Sequence, residues 1–208
     1  QVQAKKTDAH GAEDGKVSQN KKSPAGLHNE NMKVEVEKDS FKTLREIDMD
    51  NLSEQDALAA DAMKEQGWKD WKIEEVLSSG DNFRTKEIKA GDKLYGFGTE
   101  GYSKDLNTSA YWMDQDGFNQ MQTQHYSDGQ WDKQGVKDSM ALPCFNRANS
   151  IDVAEVTESH VVVESDIGKA TELIQYSNDS GYSTGFNVKD MSGGGTQIAP
   201  NPQFLKPN

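Results

Sequence analysis

The run Val161-Val162-Val163-Glu164-Ser165 decides the fold class of this 208-residue chain. Three β-branched residues in succession suit a pleated, packed surface and crowd a helical turn. Working outward, Ile151-Asp152-Val153-Ala154-Glu155-Val156 alternates well enough for a second strand, and Lys93-Leu94-Tyr95-Gly96-Phe97-Gly98 reads as a third. Ala110-Tyr111-Trp112-Met113 is an aromatic loop or short strand, and residues 116–126 have helical character. Beyond a turn-rich insertion at 178–182, Met191-Ser192-Gly193-Gly194-Gly195-Thr196-Gln197-Ile198 ends in a short strand that closes the sheet. The expectation after residue 90 is an α+β domain, mostly antiparallel β with peripheral helices.

Before residue 90 the texture differs. Residues 1–40 carry no aromatic side chain and are rich in Lys, Asp, Glu, Asn, Gln and Gly. Such a composition does not offset the entropy of ordering, so a disordered leader or linker is expected. Residues 41–89 read as a small helical pre-domain. Ser53-Glu54-Gln55-Asp56 offers an N-cap with acidic residues in the first turn, and Gly67 is a C-terminal stop. A second helix is expected from Trp68 to Leu77, ending near Gly80.

Composition narrows the function. Only 33% of residues are hydrophobic and the mean hydropathy is −0.90. No apolar run approaches the roughly 20 residues needed to span a bilayer, so no stable membrane insertion is expected. No apolar signal segment is visible in residues 1–40, and a chain that starts at Gln1 reads as a fragment of a longer protein. The formal net charge is −12, and after residue 90 eight basic residues face sixteen acidic ones. A nucleic-acid partner calls for a basic surface and is therefore not expected, whereas a basic protein partner suits this charge. The four histidines and the single Cys144 show no metal-ligand spacing, so no metal site is expected, and Cys144 reads as a buried thiol.

The three glycines allow close backbone approach to a ligand and φ > 0 geometries. A glycine-rich turn presenting an amide side chain at a strand edge suits a phosphate-bearing ligand; its plain alternative is a flexible surface turn. Four pieces taken together are more specific. They are Lys93-Leu94-Tyr95 with its glycines, Ser109-Ala110-Tyr111-Trp112, Ala141-Leu142-Pro143-Cys144-Phe145-Asn146-Arg147-Ala148, and Gly193-Gly194-Gly195-Thr196-Gln197-Ile198. In this order, over about residues 90–200, the chain resembles the C-terminal toxin domains of bacterial polymorphic toxins, including those of contact-dependent growth inhibition. The nearest resemblance is to the group related to tuberculosis necrotizing toxin.

That resemblance implies a reduced ADP-ribosyltransferase-like fold over residues 90–208 and NAD+ glycohydrolysis, with NAD+ as substrate and no separate cofactor. It also implies delivery by secretion or from the cell surface, action in the target-cell cytoplasm, and a cognate immunity protein as partner. Gln197 takes the catalytic position. Gly194, Gly195 and Thr196 line the dinucleotide, Tyr95, Tyr111 and Trp112 stack on its rings or belong to the core, and Asn146 bonds to it or caps a helix. Arg147, the only arginine after Arg84, clamps phosphate or forms a surface ion pair. One departure matters: members of the group often carry an arginine where this chain has Gly96. Either another cation replaces it, with Arg147 and Lys93 the nearest candidates, or this branch binds NAD+ differently.

Where transferases use a glutamate to activate an acceptor, Gln197 keeps a hydrogen bond but takes no proton, so water is the simpler acceptor. Two other readings stay open: a mono-ADP-ribosyltransferase toxin and a non-catalytic binding module of a secreted adhesin.

Overall fold

A computed structural model describes residues 4–6, 35–36, 41–43, 45–177 and 183–208. The insertion expected at 178–182 lies outside the described residues, as does most of the expected leader. The elements in chain order begin with three short strands, β1 (Ala4–Lys6), β2 (Glu35–Val36) and β3 (Phe41–Thr43). There follow α1 (Glu54–Glu65), α2 (Asp70–Ser79), β4 (Gly80–Ile88), β5 (Lys93–Gly98) and α3 (Gln115–His125). A small ribbon of β6 (Tyr126–Ser127) and β7 (Gln130–Trp131) leads to α4 (Lys133–Ser139). The chain closes with β8 (Ser150–Val156), β9 (His160–Ile167), β10 (Ala170–Ser177), β11 (Ser183–Met191), β12 (Thr196–Ala199) and β13 (Leu205–Pro207). The class is α+β, and every strand pair among the described residues is antiparallel.

The valine run sits in β9, the middle strand of the sheet β12-β9-β4. Val162 and Val163 face two different cores, which explains successive apolar residues instead of an apolar–polar alternation, while Val161 is exposed. Val163 faces α1 and α2 with Met63, Ile73, Leu77 and Phe83. Val162 faces the opposite way, into a cluster with Leu94, Trp112, Val156 and Ile198. The second cluster is where β8, centre of the sheet β13-β8-β5, meets the first sheet.

Residues 112–113 stitch the two sheets together. Trp112 and Ile198 exchange backbone bonds of 3.2 and 2.7 Å, while Tyr95 and Met113 exchange two of 2.8 Å. Ala110-Tyr111-Trp112-Met113 is thus an extended connector lying between β5 and β12.

Local signals place α1 well. Ser53 Oγ accepts from the Asp56 N–H at 3.1 Å, and Gly67 has φ +88° just past the helix. The second helix begins at Asp70 rather than Trp68, with Lys69 extended at the N-cap position and the Trp68 indole N–H donating to the Pro200 carbonyl at 3.0 Å. The expected boundary near residue 90 is corrected. Gly80–Ile88, assigned to the pre-domain, is β4 and pairs with β9 along most of its length. The helices of 41–89 therefore share a core with the β domain, since their apolar stripes have only that sheet to bury against.

The sequence pattern does not show the hairpin of β10 and β11, in which Ser183-Thr184-Gly185 opens β11. The inner face of β10 carries Ala170, Glu172 and Ile174, so a carboxylate interrupts its apolar alternation. Glu172 is buried, and its Oε1 accepts the Cys144 N–H at 2.9 Å. Helix α4 was also missed; Asp132 caps it by accepting the Gly135 N–H at 3.0 Å.

Arg45 ties the two helices together. Its guanidinium donates to both oxygens of Asp56 at 2.8 and 2.9 Å and to the Leu77 carbonyl at 2.8 Å. These bonds hold the Asp56 carboxyl below the usual carboxylate range, against the opposing effect of burial. A depressed folded pKa contributes stability that is present above the unfolded value and lost as pH falls through the folded one. Asp56→Asn is expected to cost about 1 kcal/mol at pH 7, a modest figure because Arg45 is 40% exposed and screened. Urea unfolding at pH 7 and at about pH 3, below the ordinary carboxylate range, checks this: the deficit shrinks at the lower pH.

Candidate functional site

The connector of residues 110–113 brings distant parts of the chain to one cavity of about 50 Å³. Its wall includes Tyr95, Gly96, Tyr111, Trp112, Asn146 and Gln197, together with Ser79, Lys104 and Gly168. Five residues singled out in the sequence therefore meet there: Tyr95, Tyr111, Trp112, Asn146 and Gln197. Arg147, Gly194, Gly195 and Thr196 are not part of the wall.

Gln197 is positioned by β12, where it stands opposite Ser165 of β9. It is only 5% exposed. Its Nε2 donates to Ser79 Oγ at 3.4 Å across 118 residues of sequence, and Ser79 Oγ donates in turn to the Val76 carbonyl at 3.0 Å. Ser79 belongs to the end of α2, whose carbonyl also receives the Gly168 N–H at 2.9 Å. The amide is thereby held by a second layer of hydrogen bonds, with its oxygen bonded to none of the described residues. An acceptor in that state suits a ligand hydroxyl.

The aromatic residues play divided parts. The Tyr95 ring stacks on Phe118 at 4.3 Å with an interplanar angle of 10°, and its hydroxyl donates to Gln115 Oε1 at 2.7 Å. One face of Tyr95 is therefore spent. Lys72 Nζ lies 5.4 Å from the Tyr111 ring centre, a cation–π contact from a buried lysine that also pairs with Glu75 at 3.1 Å. Trp112 is 1% exposed and its indole N–H donates to the Ser109 carbonyl at 3.2 Å, so it is a core residue that reaches the cavity floor.

Asn146 Nδ2 donates to the Phe97 carbonyl at 3.0 Å, and its Oδ1 accepts the Ala148 N–H at 2.9 Å. These bonds tie an irregular turn to β5. No helix begins at Asn146, so the capping alternative is corrected. Arg147 is half-buried outside the cavity, with its backbone N–H on Thr99 Oγ1 at 3.1 Å. Lys93 stands at the start of β5 opposite Glu155, also outside the wall.

The triglycine departs from the anion cradle that its composition suggests. All three amides are committed to backbone carbonyls: Gly193 N–H to Asp138 at 3.0 Å, Gly194 N–H to Ile167 at 2.9 Å, and Gly195 N–H to Ser139 at 3.0 Å. The segment threads between the last turn of α4 and the end of β9, where it satisfies helix-end carbonyls that lack intrahelical donors. Thr196 packs against Gly117 at the first turn of α3, whose absent Cβ would sit 2.5 Å from Thr196 Oγ1. The Gly-Gly-Gly-Thr element is a joint that aims Gln197, and its glycine amides are occupied by backbone carbonyls instead of a phosphate.

Sequence reasoning missed Lys104. It is the one charged side chain in the described cavity wall, and its Nζ lies 5.6 Å over the Trp112 ring. A Cβ at residue 96 would meet Lys104 Cε at 2.7 Å, so Gly96 leaves the groove in which the lysine stem lies. No local pattern around Ser103-Lys104-Asp105 signals this; a glycine in mid-strand was the only hint.

Among the described residues no group of three or more His, Cys, Asp and Glu side chains is arranged to hold a metal ion. Burial, aided by Glu172, pushes the Cys144 thiol well above its ordinary pKa, which leaves it unsuited to act as a nucleophile. No helix among the described residues is long and apolar enough to cross a membrane.

No protein-family model matches the chain, and no curated protein matches it in sequence. Two solved structures are similar to it at low identity. Rhs1-CT, in complex with its cognate immunity protein RhsI1, aligns with a TM-score of 0.40 and 16% identity over 76% of this chain and 94% of that one. Tse6, in complex with Tsi6, aligns with a TM-score of 0.38 and 14% identity over 74% of this chain and 95% of that one.

Proposed function

We propose that this chain is an antibacterial toxin domain that hydrolyses NAD+ to nicotinamide and ADP-ribose inside a target cell. In this reading it is delivered by secretion or from the cell surface and restrained at home by a cognate immunity protein. The observation that carries the proposal is convergence: Tyr95, Tyr111, Trp112 and Gln197, named from the sequence, line a single cavity.

The chemistry asks little of such a site. Cleavage of the bond between nicotinamide and ribose neutralises the positive pyridinium, so the leaving group needs no strong general acid. The electron pair of that bond leaves with nicotinamide, and water adds its oxygen to the ribose carbon and gives a proton to solvent. The protein must orient the ribose and stabilise the oxocarbenium-like transition state. Gln197, held from behind by Ser79, supplies a fixed amide for a ribose hydroxyl. The rings of Tyr95 and Tyr111 line the space in which a flat ring would sit. Asn146 belongs to the wall and fixes its turn to β5, whereas Gly194, Gly195, Thr196 and Arg147 lie outside it.

A direct assay tests the reading. Incubation of the purified chain with NAD+ is expected to release nicotinamide and ADP-ribose in equal amounts. Label carried from NAD+ onto protein or nucleic acid would identify a transferase instead, and the absence of turnover would overturn the proposal.

A further inference from the structure

The cavity as it stands is far smaller than the ligand that the proposed function requires. A cavity of about 50 Å³ holds only a few waters, whereas small-molecule pockets run to ~300 Å³ or more. Something in the wall must move; the 141–146 turn that lines it is tied to β5 through Asn146, which leaves residues 99–109 as the segment whose displacement would enlarge it. Residues 99–109 cross from the end of β5 to the connector. Their ends are anchored, with Glu100 N–H on Asn149 Oδ1 at 2.8 Å and the Ser109 carbonyl accepting the Trp112 indole N–H at 3.2 Å. Between these hinges the backbone bonds are local, from Tyr102 N–H to the Thr99 carbonyl at 3.1 Å and from Ser109 N–H to the Asp105 carbonyl at 3.0 Å. Within residues 101–108 only Lys104 and Leu106 turn inward; the other six are exposed.

Lys104 holds the segment down by weak means. Its stem occupies the groove left by Gly96, and its ammonium rests over Trp112. It enters no ion pair among the described residues, in a chain of net charge −12. An ammonium on an aromatic face contributes about 0.5–2 kcal/mol, less than a charge-assisted pair with an anion would. We propose that residues 99–109 form a lid latched by Lys104 in the Gly96 groove, and that an anionic group of the ligand draws the ammonium off Trp112, opening the cavity and becoming its partner. This places the lid on the cavity assigned under the proposed function, but it requires only that the ligand carry a phosphate-like anion.

Two variants of the full chain separate latch from anion contact. Gly96→Ala puts a methyl group where Lys104 Cε lies and evicts a flexible side chain without touching backbone. Amide hydrogen exchange in residues 99–109 is expected to quicken at least about threefold, with thermal stability nearly unchanged. Inorganic pyrophosphate, followed by calorimetry, is expected to bind this variant at least about threefold more tightly, because the open form is already populated. Lys104→Met keeps the stem but not the charge. Its lid keeps the stem in the groove but loses the contact with Trp112, so exchange is expected to be faster than in the parent chain and slower than in Gly96→Ala, while pyrophosphate binding falls at least about tenfold. Unchanged exchange in Gly96→Ala would overturn the latch, and parent-like pyrophosphate binding in Lys104→Met would overturn the anion contact. Neither readout depends on NAD+ turnover, so failure of the proposed function and failure of the lid are told apart.

Discussion

Gln197→Ala is expected to lower NAD+ consumption by about 10²–10³-fold while leaving the fold intact, because a preorganised amide at the reacting sugar acts mainly in the transition state. The structural cost is small. The variant loses one long hydrogen bond of 3.4 Å, and Ser79 Oγ keeps its own bond to the Val76 carbonyl. Loss of roughly 1 kcal/mol of stability is the upper end for such a change. The informative measurement pairs nicotinamide release with a urea unfolding curve. A kcat that collapses on an unchanged unfolding midpoint marks Gln197 as the group that handles the sugar. Parent-like turnover would remove it from the chemistry and take the proposed mechanism with it. In a bacterium expressing the whole chain, the parent is expected to empty the dinucleotide pool and the variant is not.

The second large effect concerns stability and sits only four residues earlier. Gly193 has φ +66°, and a Cβ there would strike the Ile167 carbonyl oxygen and come within 2.6 Å of the Gly168 carbonyl oxygen. Both obstacles are backbone at the end of β9, and neither can swing aside. Left-handed geometry alone costs an L-residue ~1–2 kcal/mol, and displacing packed backbone adds to it. Gly193→Ala is therefore expected to lose about 3–5 kcal/mol, in the range reserved for severe local misfit. Gly194→Ala is the control: φ is +98°, with nothing within 4 Å of the added methyl. It is expected to lose only the backbone contribution, about 1–2 kcal/mol. Equal losses in the two variants, measured by chemical unfolding, would refute the packed joint and restore the picture of a free loop. The distinction matters for function because this joint fixes where β12 starts and hence where Gln197 points.

The immunity partner implied by the sequence resemblance has a physical counterpart in the charge of the chain. A net charge of −12 favours a basic partner through long-range attraction, which raises association rate more than it raises affinity. The acidic groups are not all free to serve it. Glu164 and Asp166 are paired with Arg84 at 2.9 and 3.1 Å, and Asp114 pairs with Lys86 where it caps α3. The Arg84 pairs cross-link β4 and β9, and the Lys86 pair binds the N-cap of α3 to the face of that sheet.

Signals that act within a few residues were legible from the sequence. The Ser53 hydroxyl finds the Asp56 N–H, Gly67 takes the left-handed turn, and the valine run becomes a strand, since caps, φ preference and β-branching need no distant partner. The aromatic residues and Gln197 could be named as site candidates because their side-chain chemistry is visible in one dimension. Whether Asn146 would face a ligand or tie a turn was not, because Phe97 and Ala148 compete for its amide only once β5 and the 141–148 block are side by side. The same limit hid the boundary at residue 90: β4 follows a helix directly, and its pairing with β9 spans about eighty residues. Lys104 is the sharpest case. Its importance comes from a missing side chain on another strand and an aromatic ring on a connector, neither of which lies near it in sequence. Strand, helix and candidate chemistry followed from local sterics and hydrogen bonding; which amides stay free, which cation guards the cavity and where Gln197 points were decided by register and packing, which depend on the whole chain at once.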